Sequence, residues 1–155
     1  MKQLITATEV IAISFGTTHT LREECVPSHT ILAAQRRLLR PALGGELYSL
    51  VTLDNPADRH KEFVDNFIKR PLALYVASLL LPTLAVQVGT AGVVRLRGEG
   101  FEAADERSLR RAVRRLRKDA QALLEAAKEF LAENSELFPE YAPEVSVSLL
   151  GGVVL

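Results

Sequence analysis

The chain has 155 residues, 48% apolar and 25% charged, values that suit one packed core and exclude wholesale disorder. Formal charge is zero, from 19 basic and 19 acidic residues, which argues against a dedicated nucleic-acid binder but allows a local patch. Trp is absent, aromatics are only 6% and Cys25 is the single cysteine. The core must therefore be built of Leu, Val and Ala, which favours helix packing, and neither an internal disulfide nor a cysteine-rich metal site can form.

The opening MKQLITATEVIAISFG has only Lys2 as a basic residue and carries Glu9 inside its apolar run, so it reads as mature protein and not as a signal peptide. Residues 6–15 predict a first helix. Thr6 with Glu9 three positions later makes a capping box, Val10, Ile11 and Ser14 form an apolar face, and Gly16 ends it. Ser28 is expected to cap a second helix, in which Ile31, Leu32, Gln35, Leu38 and Leu39 recur near the helical period. Pro41 should disfavour helix at Arg40 and start a short new one, interrupted by Gly44-Gly45 and resumed by Leu47, Tyr48, Leu50 and Val51. Asp54, Asn55 and Pro56 form a turn.

Residues 57–88 predict a long helix in pieces, broken at Pro71 and kinked at Pro82. No charge falls within 71–94, a stretch long enough for a bilayer. Pro82, Thr83, Gln87, Gly89 and Gly92 interrupt it, so the expectation is a buried central helix and no membrane partner. Residues 89–104 read as irregular, with strand-like alternation over 93–97. A last helix should run from Asp105 to about Glu133, because Leu109, Ala112, Val113, Leu116, Ala120, Leu123, Leu124, Ala127, Phe130 and Leu131 keep a 3.6-residue period. Pro139 and Pro143 stop it, and the apolar tail VSVSLLGGVVL alternates as a strand would. The sequence thus predicts an all-α fold with one helical domain over 1–144 and a strand-like tail over 145–155. Its expected core holds Leu74, Val76, Leu80, Leu84, Leu109, Val113, Leu116, Leu123 and Phe130.

A search for chemistry returns little. Cys25 and His29 stand four apart but Pro27 separates them, and no third group orients the pair, so a nucleophile is not expected there. His19 and His60 lack ligand-spaced partners, and Asp58, His60 and Glu62 alternate where a helix would not put them on one face. Gly89-Thr90-Ala91-Gly92 lacks the lysine of a phosphate loop, and Gly98-Glu99-Gly100 lacks the third glycine of a dinucleotide turn. The expectation is a non-enzymatic protein with no catalytic residue, metal or cofactor.

Charge carries more information. Arg107, Arg110, Arg111, Arg114, Arg115, Arg117 and Lys118 crowd the start of the last helix, and Glu125, Glu129 and Glu133 lead an acidic second half. This order opposes the helix macrodipole, so intrinsic helix stability did not dictate it. A solvated face is one reading. Head-to-tail contact between identical subunits is another, and a phosphate-holding stripe, without stacking aromatics, is the third.

The feature order resembles small prophage and mobile-element proteins similar to the head-tail connector (head-completion) proteins of tailed phages. The resemblance is carried by MKQLITATEVIAISFG, by ILAAQRRLLRPALGGELY over 31–48, by PLALYVASLLLP over 71–82 with GTAGVV over 89–94, and by LFPEY over 137–141. It implies an all-helical subunit of a homo-oligomeric ring of about a dozen copies, stacked between portal and tail proteins, made in the host cytoplasm and virion-associated. It supplies no catalytic residues. The alternative is a small nucleic-acid-binding regulatory protein that uses the Arg-rich helix over 107–118.

Overall fold

The computed structural model describes residues 2–16, 21–84, 87–89, 92–94 and 106–143, and they form an all-α fold with one small hairpin. Helix α1 (Ala7–Phe15) starts at the expected capping box: the Thr6 hydroxyl accepts from the Glu9 N–H at 3.2 Å, and Glu9 Oε2 accepts from the Thr6 N–H at 2.9 Å. It ends at Gly16, whose φ of 74° suits a residue without Cβ. After a single 3₁₀ turn (Glu23–Cys25), α2 (Ser28–Leu43) buries Ile31, Ala34, Gln35, Leu38, Leu39, Ala42 and Leu43 on one face.

Two expectations for α2 are corrected. Its cap is Pro27, whose carbonyl accepts from Thr30 and Ile31, and Ser28 is already helical. Pro41 lies inside the helix, close enough to its end that the lost hydrogen bond is tolerated. The true stop is Gly44, with φ 82°. A Cβ there would stand 1.9 Å from the Ala142 carbonyl oxygen, so the position needs glycine for conformation and for space. Helix α3 (Gly45–Val51) then buries Leu47, Tyr48 and Val51.

The chain from Asp58 to Leu84 is one continuous helix, built of α4 (Asp58–Phe63), a π turn (Val64–Ile68) and α5 (Lys69–Leu84). No break occurs at Pro71. Proline has no N–H for the carbonyl four residues back, and the widened turn just before it, closed by Lys69 N–H to the Val64 carbonyl, absorbs the misfit. This helix is long and apolar enough to cross a membrane by length and composition. It sits at the centre of the fold, with Leu72, Ala73, Val76, Ala77 and Leu80 buried and with α1, α2 and α6 packed around it. Its described residues run to Leu84, and Val88, expected to be helical, lies in a strand. Gln87–Gly89 (β1) and Gly92–Val94 (β2) pair antiparallel, Val88 opposite Val93, so the strand expected over 93–97 begins earlier and its later residues lie outside the described ones.

Helix α6 (Glu106–Glu133) packs along α5. Its buried residues are Ala120, Leu124, Ala127 and Leu131. Of the expected core, Val76 and Leu80 are buried, whereas Leu74, Leu84, Leu109, Val113, Leu116, Leu123 and Phe130 are only half-buried. Leu84 and Phe130 still pack against the core, whereas Leu109, Val113 and Leu116 share one physical cause. The apolar period runs the whole length of α6, but only its second half lies over the core. The tail over 145–155 lies outside the described residues.

Polar ties fasten the periphery. Buried Gln35 acts as a strand edge: its Oε1 accepts from the Leu4 N–H at 2.9 Å and its Nε2 donates to the Lys2 carbonyl at 3.0 Å. Lys69 Nζ reaches Glu9 Oε1 at 2.7 Å and Asp65 Oδ1 at 2.8 Å, pinning α1 to α5. Hydrogen bonds to Asp65 and Glu9 raise the Lys69 pKa. Burial works to raise the Glu9 carboxyl, but Lys69 and Thr6 outweigh it and hold Glu9 below the usual range.

Candidate interaction surface

Within α6 the 3.6-residue period aligns one apolar stripe, but the neighbours of that stripe change along its length. Over 120–133 the stripe meets the core. Over 106–119 no residue is buried, and Leu109, Val113 and Leu116 are half-buried. The side chains of Leu109 and Val113 line a groove of about 610 Å³ with Pro82 at the end of α5, and Arg110, Arg114 and Arg117 rim it.

All seven basic residues of this half, Arg107, Arg110, Arg111, Arg114, Arg115, Arg117 and Lys118, are exposed. Arg110 pairs with Glu106, Arg115 Nε lies 3.9 Å from Asp119 Oδ2, and Arg117 Nε lies 3.5 Å from Ser78 Oγ. Arg107, Arg111, Arg114 and Lys118 have no acidic partner among the described residues. On the other half Glu125 takes Lys128 Nζ at 3.0 Å and Gln121 Nε2 at 2.6 Å, while exposed Glu129 and Glu133 have no cation partner among the described residues. The basic and acidic groups therefore stand at opposite ends of one continuous helix and cannot satisfy each other within a protomer. Five helical turns, about 27 Å, separate Arg107 from Glu125.

The remaining polar cluster escaped the sequence reading. His60, 3% exposed, accepts a hydrogen bond at Nε2 from Arg59 Nε at 3.3 Å. Arg59 pairs with Glu140, and Glu140 Oε1 lies 3.7 Å from His60 Nε2. Burial pushes the His60 pKa down, the Arg59 charge adds to this, and Glu140 opposes it. Phe138 covers the imidazole with ring centroids 6.1 Å apart, and Phe63, Phe67 and Phe130 complete an aromatic layer. The cluster fastens the segment after α6 onto α4. Glu140 is thus part of a clamp and not of the acidic end of α6. The phenylalanines at 63, 67, 130 and 138 were the available signal.

Cys25 is half-buried and His29 is exposed on the first turn of α2. Among the described residues no group of three or more His, Cys, Asp or Glu could hold a metal ion. His19 lies outside the described residues.

No curated protein and no solved structure matches the chain. A family model does match, over residues 36–147, which takes in α2 from its third turn, the central helix, all of α6 and the clamp. The chain therefore belongs to DUF6712, a family of unknown function.

Proposed function

We propose that this protein is a structural adaptor of the head-tail connector kind, which works by assembling with copies of itself in a ring and with portal and tail proteins of a phage or prophage. The observation that carries the reading is the first half of α6. It projects an unburied basic face and a half-covered Leu109–Val113–Leu116 stripe beyond the packed core. An amphipathic helix whose apolar stripe outruns its own core is a surface suited to a partner protein. The order of segments along the chain, which resembles connector proteins, supplies the kind of partner. The protein on this reading has no chemistry of its own, is made in the host cytoplasm and ends in the particle.

The test is compositional. Particles purified from the mobile element that encodes this chain should contain it in multiple copies at the neck. Deleting it should leave DNA-filled heads that do not join tails. Its absence from particles, or normal tailed particles after deletion, would remove the reading.

A second reading follows from Arg107, Arg111, Arg114 and Lys118, which have no acidic partner among the described residues and could hold phosphates. A nucleic-acid-binding regulator would then bind duplex DNA with an affinity that falls steeply with salt. Charge reversal at these four positions would abolish that binding.

A further inference from the structure

Six charged residues of α6 are arranged antisymmetrically about one position. Ala120 lies midway between Arg107 and Glu133, between Arg111 and Glu129, and between Arg115 and Glu125. Each triplet steps by four residues, so each follows one side of the helix, and a five-turn translation superposes one triplet on the other. Both lie on the side of α6 away from buried Ala120, Leu124, Ala127 and Leu131, and all six side chains are exposed.

We infer that two copies of this chain pair through the exposed sides of α6, antiparallel, on a two-fold axis that crosses the contact at the level of Ala120. Arg107, Arg111 and Arg115 of each copy then meet Glu133, Glu129 and Glu125 of the other. A two-fold contact of this kind is self-complementary, because whatever residue i meets in one direction it meets again in the other. In the same register Arg114 falls opposite Ala126, Lys118 opposite Ala122 and Lys128 opposite Ala112, so no like charges confront each other. A parallel pair in register would set arginine on arginine. A head-to-tail stagger would use one triplet of each copy per contact, whereas the antiparallel pair closes both at once.

The contacts given up are weak ones. Glu125 leaves half-buried Lys128 and the Gln121 amide, each within four residues, and exposed Arg115 leaves Asp119 at 3.9 Å, and solvent-facing pairs of this type exchange readily. Arg107, Arg111, Glu129 and Glu133 give up no ionic partner among the described residues. The inference rests on the assembly reading in taking α6 as the contact surface. Within that reading the pair is the form of the chain outside the particle, its charged faces covered until the ring replaces them.

Sedimentation equilibrium of the purified full chain tests it. At an ionic strength of about 50 mM the mass should rise from monomer to dimer with concentration, and salt should reverse the rise. The triple variant Arg107→Glu, Arg111→Glu, Arg115→Glu and the triple variant Glu125→Lys, Glu129→Lys, Glu133→Lys should each weaken the dimer on the order of 100-fold or more. An equal mixture of the two should restore a dimer, seen as a heterodimer by native mass spectrometry. The single substitutions Arg111→Glu and Glu129→Lys, alone and mixed, serve where a triple variant does not fold. A wild-type chain that stays monomeric, a dimer indifferent to both variants, or a closed assembly larger than a dimer would overturn the antiparallel pair. None of these outcomes touches the connector reading, which is decided by the content and joining of particles.

Discussion

The two halves of α6 have the same periodicity and opposite fates. Residues 120–133 bury Ala120, Leu124, Ala127 and Leu131 against the central helix, while residues 106–119 bury nothing. The helix is continuous, so local propensity does not distinguish them. The difference lies in what stands opposite: the second half meets α5 and the aromatic layer, and the first half passes its last described neighbour near Pro82. A hydrophobic period therefore reports that a face will be covered, not that the same chain covers it.

The two halves should differ most at equivalent leucines. Leu131 is fully buried, and Leu131→Asp should lower stability by roughly 3–5 kcal/mol, since it leaves an unpaired charge inside. Leu116→Asp, on the half-buried stretch, should cost about 1 kcal/mol. Urea unfolding of both variants measures the gap, and equal losses would erase the distinction. Next in size is Gly44→Ala. The segment returning from α6 crowds that glycine, whose φ is positive, so the substitution should cost about 2 kcal/mol or more in the same assay.

The clamp at His60 predicts a pH dependence. Its folded pKa lies below the ordinary 6.5, so the unfolded chain takes up the proton first as pH falls. Stability contributed by neutral His60 is complete above about pH 6.5 and is lost as pH falls toward the folded pKa. Unfolding curves between pH 7.5 and 5 should show this decline, and His60→Gln should flatten it. Glu9 enters the same way only lower, below its ordinary 4.5. Smallest of all, Arg111→Glu, Arg114→Glu and Arg115→Glu together should change stability by no more than about 0.5 kcal/mol, because none of the three is buried.

Much of the fold was legible in the sequence because it is written in local rules. Thr6 and Glu9 announce a cap, Gly44 a stop, and the uncharged run after Pro71 a central helix. The misreadings arise where a tertiary neighbour decides. Pro71 breaks an isolated helix but not one that can widen by a π turn. Leu109, Val113 and Leu116 match the pattern of a core that does not reach them. The His60–Glu140 clamp joins residues far apart in sequence, and no spacing rule brings them together. The basic and acidic stripes of α6 were legible as charge, but their exposure and the pairing of Glu140 with Arg59 required the fold.

The proposed function divides α6 into a second half that builds the fold and a first half that serves assembly. It is tested most directly by following melting temperature and particle yield together in the Arg111→Glu, Arg114→Glu, Arg115→Glu protein. The melting temperature should stay unchanged while the yield of tailed, DNA-filled particles collapses. An unchanged melting temperature with a normal yield of such particles would contradict it.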